Sequence, residues 1–171
     1  MIENIIVVDE FDNQISEWEK MDVHRKALLH RAFSILVFNS KWELMLQQRD
    51  LWKYHSWGKW TNTCCSHPRV WESLEDAVHR RLLEEMWFDT ELTEKTEFIY
   101  KVELDNELTE HEYLHVFTWI YNDEPKLNRE EAMNWRWISI DDLKVDIHNN
   151  PDNYTKWFFI IVRDYFDRIF K

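Results

Sequence analysis

Glycine is almost missing. The chain has one, Gly58, where an average usage of about 7% predicts roughly a dozen. Turns that need positive φ must therefore be made by other residue types, at some cost in strain. Basic residues are also in deficit: 21 Lys and Arg stand against 33 Asp and Glu, a formal net charge of -12. That balance excludes a general nucleic-acid or membrane surface, but leaves room for a locally basic pocket that takes an anionic small molecule. Cysteine is limited to the adjacent pair Cys64 and Cys65. Neighbouring cysteines rarely bridge each other, so no disulfide framework is expected. No apolar run approaches the ~18 residues of a membrane span. The acidic N-terminal segment has neither a basic n-region nor a small-residue cleavage site, so a cytoplasmic protein is the expectation. Oligomeric state is not legible.

What is present is a sizeable apolar fraction, 44% of 171 residues, enough for the core of one domain spanning 1–171. Ile5 to Val8, Ala32 to Phe38, Glu43 to Gln48, Phe98 to Leu104, Tyr113 to Tyr121 and Asn134 to Ile138 read as strands. Asn39 to Trp42 is the turn of a hairpin. Ser73 to Met86 reads as the clearest helix, with Leu74, Ala77, Val78, Leu82 and Met86 as its apolar stripe, Ser73 as its cap and Asp76 completing a capping-box analogue. Ser139 caps a short helix through Lys144, and a final helix runs from beyond Pro151 towards Phe170. Leu51 to Pro68 reads as irregular. The order β-β-β-α-β-β-β-α-α implies an α+β protein, a mixed sheet packed between helices as an α/β/α sandwich.

Five potential metal ligands stand out: His24, His30, His67, Glu110 and Glu112. If Thr109 to Glu112 is extended, both carboxylates point to one face and His111 to the other. Three imidazoles and two carboxylates suit a five- or six-coordinate divalent ion, Mn²⁺, Fe²⁺, Mg²⁺ or Zn²⁺. His-x5-His and Glu-x-Glu are each weak signals, so the spacing by itself leaves open both a metal site and scattered surface residues. Cys65, two residues from His67, reads either as a proton-transfer group beside that site or as a buried structural thiol; Cys64 fits the second description. Lys20, Arg49, Lys53 and Arg81, on four separate segments, either converge on a diphosphate or are ordinary surface charges.

With these residues in view, Trp60-Thr-Asn-Thr-Cys-Cys-Ser-His-Pro68 resembles the W-T-N-x-x-C-x-H-P signature of type I isopentenyl-diphosphate isomerases. Thr109-Glu-His-Glu112 resembles their E-x-E motif, and Lys20 with His24 and His30 their N-terminal block. The helix after Ser73 is similar to a degenerate Nudix box, G-x5-E-x7-R-E-U-x-E-E-x-G-U. Glu72, Arg80, Leu82, Glu84 and Glu85 match it, and Arg81 replaces the glutamate that serves hydrolysis.

The resemblance implies a Nudix-type fold and an enzyme that converts isopentenyl diphosphate to dimethylallyl diphosphate through a tertiary carbocation. It implies that His24, His30, His67, Glu110 and Glu112 hold a divalent ion (Mn²⁺, Mg²⁺ or Zn²⁺). Glu85 would hold a Mg²⁺ that arrives with the diphosphate, and Lys20, Arg49, Lys53 and Arg81 would bind the diphosphate oxygens. Cys65 and Glu112 would move the protons, Tyr100 would assist, and Trp157 would flank the hydrocarbon. The rivals are a Nudix diphosphohydrolase and an inactive metal-binding scaffold.

Eleven tryptophans accompany the missing glycine. Trp42, Trp57, Trp71, Trp87 and Trp119 fall where the family pattern carries glycine. A gene that uses TGA for glycine, read with TGA as tryptophan, would give this pattern, so glycine is the expectation at those positions in natively made protein.

Overall fold

A computed structural model describes residues 3–53 and 55–171, so only Tyr54 of the expected Leu51 to Pro68 loop lies outside it. Strands β1 (Asn4–Val8) and β2 (Gln14–Glu19) form a hairpin that leads into α1 (Lys20–Lys26). Then come β3 (His30–Phe38), β4 (Glu43–Arg49), β5 (Trp60–Thr61), β6 (Cys64–Ser66), α2 (Leu74–Met86), β7 (Thr93–Glu103), β8 (Thr109–Ile120) and β9 (Ala132–Ser139). Helices α3 (Ile140–Asn149), α4 (Lys156–Asp164) and α5 (Phe166–Ile169) close the chain. Among the described residues, no helix is long and apolar enough to cross a membrane.

The sheet is mixed: β3 runs parallel to β8, and the other strand pairs are antiparallel. Strand β3 shows why it lies at the centre. Ala32, Leu36 and Phe38 share a core with α3, α4 and α5. Phe33, Ile35 and Val37 share another with the stripe of α2, Ala77, Val78, Leu82 and Met86. A strand buried on both faces carries a near-continuous apolar run, interrupted here by the buried Ser34, and period-two alternation sorts it between the two layers. The α+β layering expected from the element order is therefore present.

Helix α2 forms as its sequence specifies. Ser73 Oγ accepts from the Asp76 amide at 3.0 Å and donates to the Asp76 carboxylate at 2.6 Å. The helix stops at Trp87, whose left-handed φ of 57° lets its amide donate to Leu83 O. The hairpin turn likewise places Trp42 at φ 64°. These are conformations that favour glycine, at two of the five tryptophans where glycine is expected. Trp57, Trp71 and Trp119 do not lie in that region.

Several elements differ from the sequence reading. Strand β2 has no buried residue, so no alternation marks it. Helix α1 is seven residues long, too short to show a stripe. The segment expected to be irregular contains β5 and β6. The single expected C-terminal helix is divided: a 3-10 turn (Pro151–Asn153) comes first, and the Thr155 amide donates to Trp60 O at 2.9 Å before α4 begins. At Tyr165, with φ -118°, the ring stacks on Phe98 and takes the residue out of the helix.

One topological detail prepares the site. Strands β3 and β4 pair only near their turn, at Phe38–Leu44, and then separate. The chain after β4 folds back into the gap, β5 pairing with β4 and β6 with β3. Between them, buried side chains satisfy the backbone groups freed by the separation. Thr63 Oγ1 donates to Met45 O at 2.7 Å and accepts from the Val37 amide at 2.9 Å. Asn62 Nδ2 donates to Cys64 O at 2.7 Å and to Ile35 O at 3.2 Å.

Candidate active site

The inserted segment brings His67 against the start of β3. Helix α1 supplies His24, β3 begins with His30, and the first residues of β8 supply Glu110 and Glu112. In-register pairing of His30 with Glu112 brings the last two strands together. Thr109 to Glu112 is extended, as expected. Glu110 and Glu112 are buried on one side, and His111 turns away to Ala27 O.

The three imidazoles pack with ring centroids 4.9–5.4 Å apart. His24 Nδ1 donates to Lys20 O at 2.6 Å and His30 Nδ1 to Leu28 O at 2.9 Å. A carbonyl only accepts, so these contacts fix the tautomers and leave both Nε2 atoms as lone pairs facing inward. His30 Nε2 lies 3.2 Å from His67 Nε2. Glu110 Oε2 is 3.1 Å from His24 Nε2, and Glu112 Oε1 is 3.4 Å from His67 Nε2. Ligand atoms of His24, His30, His67 and Glu110 all fall within 4.8 Å of one another. Buried acceptors converging on one point, with His24 Nε2 and Glu110 Oε2 lacking a well-directed hydrogen bond, are what a divalent cation satisfies. Four of the five expected ligands thus gather, and their donor set fits a divalent metal; Glu112 lies beside them, its Oε1 3.8 Å from His30 Nε2.

The electrostatics separate the two carboxylates. Burial works against the Glu110 charge, but His24 and His30 outweigh it and hold its pKa well below the usual range. Burial and the neighbouring Glu110 charge push Glu112 well above that range, so of the two carboxyls Glu112 holds its proton the more tightly. Burial lowers the pKa of His30 and, more strongly, that of His67. His24 feels the same burial, but Glu110 overcomes it and raises its pKa. Tyr100, on β7 opposite Glu112, donates its hydroxyl to Glu112 Oε2 at 2.8 Å. The Cys65 thiol is pushed up to about 12, chiefly by burial, with Arg49 opposing the shift.

Cys65, Glu110 and Glu112 line one cavity of about 80 Å³ with Lys20, Arg49, Lys53, Arg81, Glu85 and Trp157. The four cations expected from separate segments thus meet. Arg81 Nη2 pairs with Glu85 Oε1, while Gln47 Nε2 donates to Glu85 Oε2 at 2.9 Å. Arg80 turns the other way, its Nη2 donating to Glu72 Oε2 at 2.8 Å. Trp157 Nε1 donates to Thr61 Oγ1 at 3.0 Å, and the Arg49 guanidinium lies 5.2 Å from the Trp157 ring centroid. Cys64 faces the α2 core and is fully buried.

Among the lining residues, sequence reasoning missed two titratable ones. His55, from the loop after β4, sets its ring edge-on to Trp157 with centroids 5.6 Å apart. Burial, then the Arg49 charge, drive its pKa down to about 3, so it is neutral. Glu131, just before β9, bridges Lys53 and Arg81. Neither belongs to a spaced motif; Lys53-x-His55 in a Trp-rich loop was the one available hint of the former.

The NUDIX domain family matches residues 28–158. The chain is 50% identical over 158 residues to "Isopentenyl-diphosphate Delta-isomerase 2" of Photorhabdus laumondii, covering 92% of this chain and 89% of that one. It is 44% identical over 164 residues to "Isopentenyl-diphosphate Delta-isomerase" of Serratia proteamaculans, covering 96% and 92%. Among solved structures it is similar to a protein from Deinococcus radiodurans (TM-score 0.77, 16% identity, 95% of this chain and 99% of that one). It is also similar to the MutT protein of Methanosarcina mazei (TM-score 0.65, 20% identity, 82% and 94%). At such identities the solved structures speak for the fold alone.

Proposed function

The chain belongs to the isopentenyl-diphosphate Delta-isomerases of the NUDIX superfamily, and from that premise we propose that its cavity shifts the double bond of isopentenyl diphosphate with Glu112 and Cys65 as the two proton-transfer groups. The product is dimethylallyl diphosphate. Residues 1–171 act as one catalytic domain, in the cytoplasm.

Lys20, Arg49, Lys53 and Arg81 hold the diphosphate and leave it intact. Glu112 gives its proton to the terminal carbon of the alkene. The π pair forms the new C–H bond, and the adjacent carbon becomes a tertiary cation. Cys65, as thiolate, takes a proton from the carbon on the diphosphate side, and that C–H pair becomes the new double bond. In the reverse direction the roles exchange. Burial keeps the free thiol protonated, so thiolate formation depends on nearby cations, and Arg49 already acts in that sense. Tyr100 keeps the Glu112 carboxyl aimed. The Trp157 ring, fixed by Thr61, faces the hydrocarbon and can stabilise the cation by ~1–2 kcal/mol when desolvated. Substrate filling the pocket would exclude the water that could trap the cation.

His24, His30, His67, Glu110 and Glu112 would hold a divalent ion, Mn²⁺, Mg²⁺ or Zn²⁺, and Glu85 a Mg²⁺ that accompanies the diphosphate. The first ion would supply Lewis acidity that makes the Glu112 carboxyl a stronger acid.

The observation that carries the reading is a buried carboxyl held by the Tyr100 hydroxyl at 2.8 Å in the same cavity as the Cys65 sulfur and four converging cations. Arg81, standing where diphosphohydrolases keep a glutamate, favours isomerisation over hydrolysis. NMR of isopentenyl diphosphate in D₂O tests it: deuterium should enter the carbons at both ends of the migrating double bond. Phosphate release without deuterium uptake would establish the hydrolase instead.

A further inference from the structure

The cradle that should receive the diphosphate already contains an anion. Glu131 is four-fifths buried, with 21% of its side chain exposed. One carboxylate oxygen pairs with Lys53 Nζ, and the other lies 3.3 Å from Arg81 Nη2. All three residues line the cavity with Cys65 and Glu112. The backbone holds Glu131 there: its carbonyl accepts from the Asp50 amide at 3.1 Å, and its own amide donates to Asn128 O at 3.0 Å. The first of these ties it to the loop that carries Lys53.

A fixed negative charge inside an anion site lowers affinity for every anion, and lowers it most for those that cannot replace both of its contacts. The two Glu131 oxygens each engage a different cation, one on the loop after β4 and one on α2. A ligand must therefore match a two-point grip before it gains anything. A diphosphate, with two linked phosphoryl groups, can satisfy Lys53 and Arg81 together. A monophosphate offers one group: after displacement it leaves either Lys53 without its Glu131 partner or Arg81 with only its helix neighbours Glu84 and Glu85, which is costly in a largely buried site.

We propose that Glu131 is a specificity-determining residue of the diphosphate cradle, an internal counter-ion that occupies Lys53 and Arg81 until a two-centred anion displaces it. The inference rests on the cavity being a diphosphate site. Burial opposes the Glu131 charge, but Arg81 and Lys53 outweigh it and keep the pKa below the usual carboxylate range, so the group is anionic at neutral pH.

Calorimetric titration of the full chain with inorganic diphosphate and inorganic monophosphate, at fixed Mg²⁺ and Mn²⁺, separates the possibilities. The unaltered protein should bind diphosphate and reject monophosphate. Glu131→Gln keeps the shape and removes the charge. It should raise monophosphate affinity by about tenfold and diphosphate affinity by less, so that selectivity falls. Glu131→Asp, which keeps the charge, should retain most of the selectivity. An unchanged ratio in Glu131→Gln, or weaker binding of both anions, overturns the role given to Glu131 while leaving the diphosphate site standing. Absence of diphosphate binding by the unaltered protein removes the site itself, and the inference with it.

Discussion

Glu112 and Cys65 are both held neutral by burial, yet their neighbours differ. Glu112 is buried beside the anionic Glu110 and receives the Tyr100 hydroxyl; Cys65 has Arg49 near it. That asymmetry fits the proposed acid and base, and substitutions should separate their roles. Cys65→Ala should lower turnover by about 10²–10⁴-fold, the usual worth of a positioned proton-transfer group, with metal content by elemental analysis unchanged. Glu112→Gln should lower both turnover and metal content, because the same carboxyl reaches towards His67. Near-normal turnover in Cys65→Ala would show that the proton leaves by another route. At Trp87 the question is conformational. An L-residue in the left-handed region is strained by ~1–2 kcal/mol, and the Trp87 side chain is mostly exposed. Trp87→Gly should therefore raise stability in urea by about 1 kcal/mol. In natively made protein, intact mass should be lower by one Trp-to-Gly difference per true glycine. A mass that accounts for all eleven tryptophans would dismiss the codon explanation.

Among the elements, the inserted β5–β6 segment has most influence on the site, because it fills the space left where β3 and β4 part. Thr63 connects the two strands through one hydroxyl. Thr63→Val keeps the shape and strands a buried amide and a buried carbonyl. It should cost ~1–3 kcal/mol in urea unfolding, with no change in the metal ligands themselves. A cost below ~0.5 kcal/mol would mean the strands need no such connection. Helix α2 and strand β3 were legible in the sequence because a stripe along thirteen residues and the segment Ala32 to Phe38, apolar but for Ser34, carry strong periodic signals. Helix α1, which carries His24 and presents the carbonyl that orients it, was not, since it has seven residues and its buried contacts are tertiary. Strands β5 and β6 were missed for a related reason. They are two and three residues long, and partners far along the chain hold them, not their own pattern.

For the molecule as a whole, the acidic chain encloses a cluster of histidines and carboxylates whose acceptors point at one another. Such a cluster is unfavourable without a cation, so metal binding should contribute to folding stability. Metal at a hundredfold excess over its Kd should add ~2.7 kcal/mol, and a chelator should lower Tm. The gain should shrink as pH falls. Glu110 raises the pKa of His24 against its burial, so below that raised value a proton occupies the nitrogen the metal requires. A Tm gain that grew on acidification would count against ligation by His24.

The sequence by itself determined how the layers alternate and, through its motifs, pointed to the residues that the fold gathers around one cavity, because motif spacing and hydrophobic period are local properties of the chain. It identified Cys65, Glu112, the four cations and the three imidazoles. Only the tertiary structure decided that His55 and Glu131 join them, and that Glu131 sits between Lys53 and Arg81. Those relations come from β3 and β4 parting and from the end of β4 meeting the loop before β9, contacts between segments roughly eighty residues apart. Nothing in a residue's immediate neighbours records a contact of that range.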